Sequence, residues 1–307
     1  MLRWILRIAA GLMAIVVVVI VVRFVGWRAG IERELVKNSS IVQTSRGPIE
    51  YAEIGEGMAV LVVHGTPGGY DDPLGALKVT HAENNGFRYI VPSRPGYSRT
   101  PLSVGATPAE QADAFAALLD TLRIQKTALI AQSGGGPSAL QFAMRHPERC
   151  SALVLESALV RNYSGPAPHL PKTAFGAWSR DLLIYVFAGF ARFQPVDPKD
   201  PELAPLTQAA LRSVVPYSLR KAGAENDLQQ EAHLDGWPLD EITCPTLILP
   251  GTADQSVPVK DAEYAHAQIP GSELVDLPGQ DHVMMYVKHR QLDDMISAFL
   301  RKHVSSP

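Results

Sequence analysis

Leu129-Ile130-Ala131-Gln132-Ser133-Gly134-Gly135-Gly136-Pro137 is the stretch that decides how this chain folds. An apolar strand-like run leads into a serine with small residues two positions to either side. A helix then starts at the proline, which is tolerated in a first helical turn. Small flanks suit a strand-to-helix turn so sharp that a larger Cβ would strike neighbouring backbone. A helix beginning just behind Ser133 also favours negative charge developing beside it. Alone, such a match is common by chance, so its neighbours in the sequence carry the weight.

Three other segments complete the pattern. Upstream, Val62-Val63-His64-Gly65-Thr66-Pro67-Gly68-Gly69 ends a buried run with a loop able to aim backbone N–H groups at an oxyanion. Downstream, Asp254 follows the run ending at Leu249-Pro250-Gly251, and His282 follows Leu277-Pro278-Gly279-Gln280-Asp281. The turn is a variant of the Gly-X-Ser-X-Gly elbow, and the order Ser, Asp, His is the one known for such turns. On these residues, positions 41 to 303 resemble the α/β-hydrolase fold serine hydrolases. Val91-Pro92-Ser93-Arg94-Pro95-Gly96-Tyr97-Ser98 is also similar to that family's Asp-Arg-Pro-Gly-Tyr-Gly segment, departing from it at Ser93 and Ser98.

The rest of the chain reads as an α/β protein with a mostly parallel central sheet flanked by helices. Ile41–Thr44 and Ile49–Ile54 form a hairpin pattern around Ser45-Arg46-Gly47-Pro48. Short apolar runs then recur from Met58, Phe87, Thr127, Ala152, Thr246 and Glu273, as buried parallel strands do. Helical stretches alternate with them at 107–122, 137–145, 259–267 and 292–303, the first opening on Thr107-Pro108-Ala109-Glu110. Segment 161–240 breaks the alternation and concentrates Phe175, Trp178, Tyr185, Phe187, Phe190 and Phe193. An insertion of that length is typically functional, and the resemblance makes it a mainly helical cap after strand six. The core is then 41–160 with 241–307.

The amino terminus has a different character. Ile8 to Val22 are fifteen uninterrupted apolar residues, widening to 4–27 if Arg7 and Arg23 snorkel. The span from Arg7 to Arg23 is about 24 Å as a helix, nearly the ~30 Å of a hydrocarbon layer. Residues 1–28 therefore read as a single-pass membrane anchor that meets the lipid bilayer through 4–27, and 29–40 as a juxtamembrane connector. A cleaved signal peptide is the competing reading, but Phe24, Trp27 and Arg28 occupy the places where cleavage wants small residues. Positive charge on both sides leaves the orientation open.

Charge narrows the partners. Residues 1–37 hold six Lys/Arg against two acids, and the other 270 residues hold 22 against 29, a net charge of −7. That is not the footprint of a nucleic-acid binder. Histidines are scattered and no Cys-X-X-Cys or His-Glu-X-X-His occurs, so no metal and no cofactor is expected. Cys150 and Cys244 each precede an apolar run in the same phase. Parallel neighbouring strands would bring the sulfurs within bonding reach, and two buried free thiols are the default.

The resemblance implies Ser133 as nucleophile, His282 as general base, and Asp254 as the acid orienting it. Glu156, at the end of the sixth strand, is the alternative acid. Backbone N–H groups of Thr66 and Gly134 would form the oxyanion hole. Asp281 is too close in sequence to point at the His282 ring, and His64 is expected to be structural. Serine at the elbow implies acyl transfer to water, hence hydrolysis of a small-molecule ester, thioester or lactone. His-Gly-Thr-Pro-Gly-Gly is also similar to the proline iminopeptidase loop. Those enzymes hold a substrate amino group on cap acids, for which Glu202, Glu225, Asp227 and Glu231 are candidates. A tethered pseudoenzyme that only binds a ligand is the reading from another class.

Overall fold

A hairpin starts the sheet. Strand β1 (Ser40–Thr44) pairs antiparallel with β2 (Gly47–Ile54), and β2 pairs antiparallel with β4 (Phe87–Pro92). From β4 onward every pairing is parallel, through β3 (Met58–Val63), β5 (Thr127–Gln132), β6 (Cys150–Glu156), β7 (Thr246–Leu249) and β8 (Glu273–Leu274). The spatial order of the eight strands is β1-β2-β4-β3-β5-β6-β7-β8. This computed structural model describes residues 1–165, 170–191 and 200–303, without the side chains of 188–191. Phe190 and Phe193, part of the aromatic concentration noted above, fall outside that description.

The central strands are continuously apolar because both of their faces are covered. Leu61, Val63, Leu129, Ala131, Leu153 and Leu155 join one core cluster; Val60, Val62, Ala128, Ile130, Ala152 and Val154 join the other. This two-residue alternation is the pleat itself. Helices α3 (Pro108–Thr121), α4 (Gly136–Arg145) and α8 (Val259–Gln268) cover the first face. Helices α2 (Asp71–Val79) and α10 (His289–His303) cover the second, together with the end of the amino-terminal helix. The proposed N-terminus of α3 is a complete capping box: Glu110 N–H donates to Thr107 Oγ1 and Thr107 N–H to Glu110 Oε2.

Among the differences from the pattern in the sequence, three bear on how the molecule is built. Strand β8 stops at Leu274 rather than Leu277, although Val275 and Leu277 still donate to Ile248 and Pro250 carbonyls. Helix α2 was not signalled, since little besides Pro73 and Leu74 on it is buried. The amino-terminal helix α1 (Leu2–Lys37) runs unbroken through 1–28 and on through the segment read as a connector, as far as Lys37. Residues 2–20 of it are exposed, whereas Phe24, Ile31 and Leu35 are buried. Ile31 and Leu35 share a core cluster with Tyr70 and Leu74, and Tyr70 donates its hydroxyl to the Leu35 carbonyl at 2.6 Å. Tertiary packing thus holds the lower part of α1 helical.

Between β6 and β7 lie helices α5 (Ala174–Ala191), α6 (Leu203–Ser213) and α7 (Lys221–Gln230). Strands β6 and β7 are parallel neighbours, and Cys150 and Cys244 at their starts are buried free thiols with Sγ atoms 3.0 Å apart. The cap is tied to the core by a buried ion pair. Asp227 on α7 takes two hydrogen bonds from Arg94, at 2.6 and 3.0 Å, and one from Tyr97 at 2.5 Å. Breaking such a pair from one side strands a charge in a dry interior, typically costing about 3–5 kcal/mol. Asp227→Ala should lower unfolding stability by about that amount, while Asp240→Ala, on an exposed turn, should change it by under about 0.5 kcal/mol. Urea denaturation of the two variants side by side checks this.

Candidate active site

Strand β5 delivers Ser133 to the carboxyl edge of the sheet, where the chain turns at once into a 3₁₀ turn and then α4. The turn is tight enough to put Ser133 at φ +48°, a left-handed conformation costly for a residue with a side chain. The small flanks have a visible reason. A Cβ on Gly135 would lie 2.5 Å from the Val63 carbonyl oxygen and 2.8 Å from that of His64. Ala131, the other small flank, is completely buried.

The three side chains read from the sequence come together. His282 Nε2 lies 2.9 Å from Ser133 Oγ, and His282 Nδ1 lies 2.7 Å from Asp254 Oδ2. Asp254 is fixed in turn, because its Oδ1 accepts from the Ser256 and Val257 backbone N–H groups at 2.8 and 2.9 Å. Burial pushes the Asp254 carboxyl up, but the hydrogen bonds from His282, Val257 and Ser256 outweigh it and hold the group below the usual carboxylate range. Asp281 does not compete, since its Oδ1 accepts from the Val283 N–H. Glu156, the alternative acid, instead accepts from Gln132 Nε2 at 2.8 Å. Burial raises its carboxyl to about 7.

The loop after β3 packs against this elbow. A Cβ on Gly134 would stand 2.5 Å from Thr66 Oγ1 and 2.9 Å from Glu231 Oε1, so Thr66, Gly134 and Glu231 share one small space. His64 underlies the loop with no exposed surface. Its Nε2 accepts from the Arg94 N–H at 3.0 Å and its Nδ1–H donates to the Gly65 carbonyl at 2.8 Å. Burial, reinforced by the Arg94 charge, keeps the ring neutral. The Arg94 side chain donates through Nε to the His64 carbonyl and through Nη2 to Thr66 Oγ1.

The departures at Ser93 and Ser98 are accommodated. Ser93 donates to Glu50, a fully buried carboxylate that also takes hydrogen bonds from Ser39 and Arg99. Ser98 accepts from Arg220 at 3.2 Å.

Of the four cap acids, three are already engaged. Asp227 is held by Arg94, Glu225 pairs with Lys221, and Glu202 lies 3.5 Å from both His289 and Arg290. Only Glu231 borders the elbow. Burial, together with the neighbouring Asp227 charge, raises its carboxyl to about 7. The sequence singled out neither its position nor the Arg94 node; the Arg-Pro-Gly-Tyr segment was the available signal for the node. One metal-like grouping that the scattered histidines did not suggest is formed by Asp200, Glu202 and His289. The Arg290 guanidinium, 3.5 Å from both carboxylates, already supplies positive charge there.

The alpha/beta hydrolase fold family model matches residues 59–288, and the chain belongs to that family. It is 29% identical over 256 residues to the uncharacterized hydrolase YcgS of Bacillus subtilis (strain 168), covering 78% of this chain and 89% of that protein. To a 2-hydroxy-6-oxononadienedioate/2-hydroxy-6-oxononatrienedioate hydrolase of Burkholderia vietnamiensis it is 26% identical over 279 residues, covering 83% and 91%. A solved alpha/beta hydrolase fold protein from Nakamurella multipartita superposes with a TM-score of 0.72 at 35% identity, over 86% of this chain and 99% of that one.

The Gly135 contacts give a direct test. Gly135→Ala forces backbone to move and should destabilise the protein by about 1–3 kcal/mol, as overpacking does. It should also reduce labelling of Ser133 by a fluorophosphonate, whereas Ser103→Ala should leave both melting and labelling unchanged.

Proposed function

We propose that the chain is a membrane-anchored serine hydrolase that cleaves a carboxylic ester, thioester or lactone through an acyl-enzyme on Ser133. The observation that carries this is the continuous hydrogen-bond chain from Ser133 Oγ through His282 to Asp254, with the serine held in a left-handed turn facing it. His282 takes the Ser133 proton as Oγ attacks the carbonyl, and returns it to the leaving alcohol or thiol. Water activated by His282 then releases the acid. Asp254 orients the ring and stabilises the imidazolium. Thr66 and Gly134 supply the backbone N–H donors for the oxyanion, each such donor typically contributing about 3 kcal/mol. The intact chain of three residues favours turnover over a binding-only role.

Anchoring rests on α1. It is the described helix long and apolar enough to cross a membrane, and its most apolar window has no buried residue. Of residues 4–27, the exposed ones contact the bilayer in this reading, while the buried Phe24 and half-buried Trp27 face the body.

A second reading has one observation in its favour. Glu231 places a carboxyl beside Gly134, where the ammonium of an aminoacyl substrate would be held, as a proline iminopeptidase-like enzyme requires.

Fluorophosphonate should label Ser133 and no other site, with Ser133→Ala unlabelled. Asp254→Asn should retain the fold and lose about 10⁴-fold in kcat. Glu231 separates the two readings. It is neutral below about 7 and charged above, and a carboxylate there opposes an oxyanion. An ester hydrolase should therefore lose kcat/KM above that pH, and Glu231→Gln should abolish the loss. If Glu231→Gln instead raises KM for proline anilide and leaves short acyl esters untouched, the aminopeptidase reading replaces the first.

A further inference from the structure

Cap helix α5 has two unlike sides. At about 100° of rotation per residue, Ala177, Trp178, Asp181 and Tyr185 fall on one side. That side is docked on the body. Trp178 meets Phe24 of α1 edge-on at 5.2 Å between ring centroids, and Tyr185 lies 5.2 Å from Trp27. Asp181 takes hydrogen bonds from Arg28 and from the Tyr217 N–H. On the opposite arc stand Phe175, Leu183, Val186 and Phe187, with Phe175 77% and Phe187 64% exposed.

Among the described side chains, nothing polar on that arc calls for water. Ser179, which falls within it, donates its hydroxyl to the Phe175 carbonyl at 2.8 Å. Arg180, at its border, is turned inward to the Val214 carbonyl and lies over the Tyr217 ring.

We infer that this face of α5 lies in the lipid interface beside the α1 span, so that the cap is seated on the bilayer and draws its substrate from it. The inference rests on the anchoring read above. It commits to lipid because α5 is held by α1 residues at the end of the apolar run, beside the span. Phe24 and Trp27, which hold α5, lie two and five residues after the exposed Val22 on α1, with Arg23 between, and bracket the exposed Val25. The helix is therefore fixed at the depth where α1 leaves its uninterrupted apolar run. Helix α5 is apolar nearly all round, with Arg180 and Asp181 its only charged residues, and a helix of that kind is covered on every side, here by protein on one side and by lipid on the other. The substrate class follows: amphiphilic esters with acyl chains, presented from the membrane rather than from water.

The experiment uses the full chain in phosphatidylcholine vesicles, with p-benzoylphenylalanine replacing one residue at a time. Phe175→p-benzoylphenylalanine and Phe187→p-benzoylphenylalanine should photocrosslink to lipid, as should the same change at Ile8 in the span. The same change at the exposed Gln268 of α8 should not. Lipid adducts at Ile8 without any on α5 overturn this inference and leave anchoring intact. No adduct at Ile8 either overturns both. A crosslink from α5 to another copy of the chain assigns the face to a dimer and overturns it too. As a second readout, Leu183→Ser with Phe187→Ser should cut turnover of a long-chain ester dissolved in the vesicles about tenfold and leave a water-soluble acetate ester unchanged. Equal rates on both substrates overturn the bilayer-substrate half.

Discussion

The guanidinium of Arg94 is the interaction on which the site's geometry depends. It is almost wholly buried, and a charge in that position needs a complete set of partners. Asp227 supplies two hydrogen bonds from the cap, the His64 carbonyl one from β3's loop, and Thr66 Oγ1 another. The Arg94 backbone N–H meanwhile fixes the His64 ring. One residue thus joins the edge of β4, the loop after β3 and the cap. The cap cannot separate from the core without exposing a stranded carboxylate, and the Thr66 loop cannot tilt without breaking the same set. The buried pair is better understood as fixing geometry than as net stabilisation, since isolated buried pairs repay their desolvation poorly.

The sheet and the elbow were legible because their causes are local in sequence. A strand buried on both faces must be apolar at every position, so Val60 to Val63 and Ala128 to Ala131 announce themselves. The elbow needs small residues where backbone passes close by, and the Gly135 contacts with Val63 and His64 show the steric reason. Asp254 and His282 were recognisable from their order along the chain and from the loops they follow. Their meeting, 2.7 Å apart across 28 residues, is a consequence of β7 and β8 being neighbours.

What was not legible depends on contacts distant in sequence. Glu231 looked like any of four cap acids. Its distinction is that Asp227, Glu225 and Glu202 are each already paired, while it alone stands beside Gly134. No spacing rule encodes that elimination. Helix α2 was missed for a related reason: it is short, and its packing is supplied chiefly by α6, where Gly75 lies against Ala209, an element distant in the chain. The segment after the span likewise looked like a connector because Glu32, Arg33 and Glu34 interrupt its apolarity, whereas Ile31 and Leu35 mark a buried stripe one turn apart.

That stripe alters what tethering means for this molecule. A flexible connector would let the body tumble beneath the membrane, and the cap's exposed rings would meet lipid only by chance. A helix continuous from Leu2 to Lys37 leaves no such freedom. Its upper half is exposed, its lower half carries the buried Phe24, Ile31 and Leu35, and the ion pair of Arg212 with Glu34 adds a cap contact near its end. The same helix that would cross the bilayer therefore also joins the core through Ile31 and Leu35 and packs against α5 through Phe24 and Trp27. Under the proposed anchoring, the depth and tilt of α1 would set the position of Ser133 relative to the lipid surface, because Ile31 and Leu35 share a core cluster with the sheet. The orientation of the site is then a property of the core packing at Phe24, Ile31 and Leu35, three apolar side chains at helical spacing.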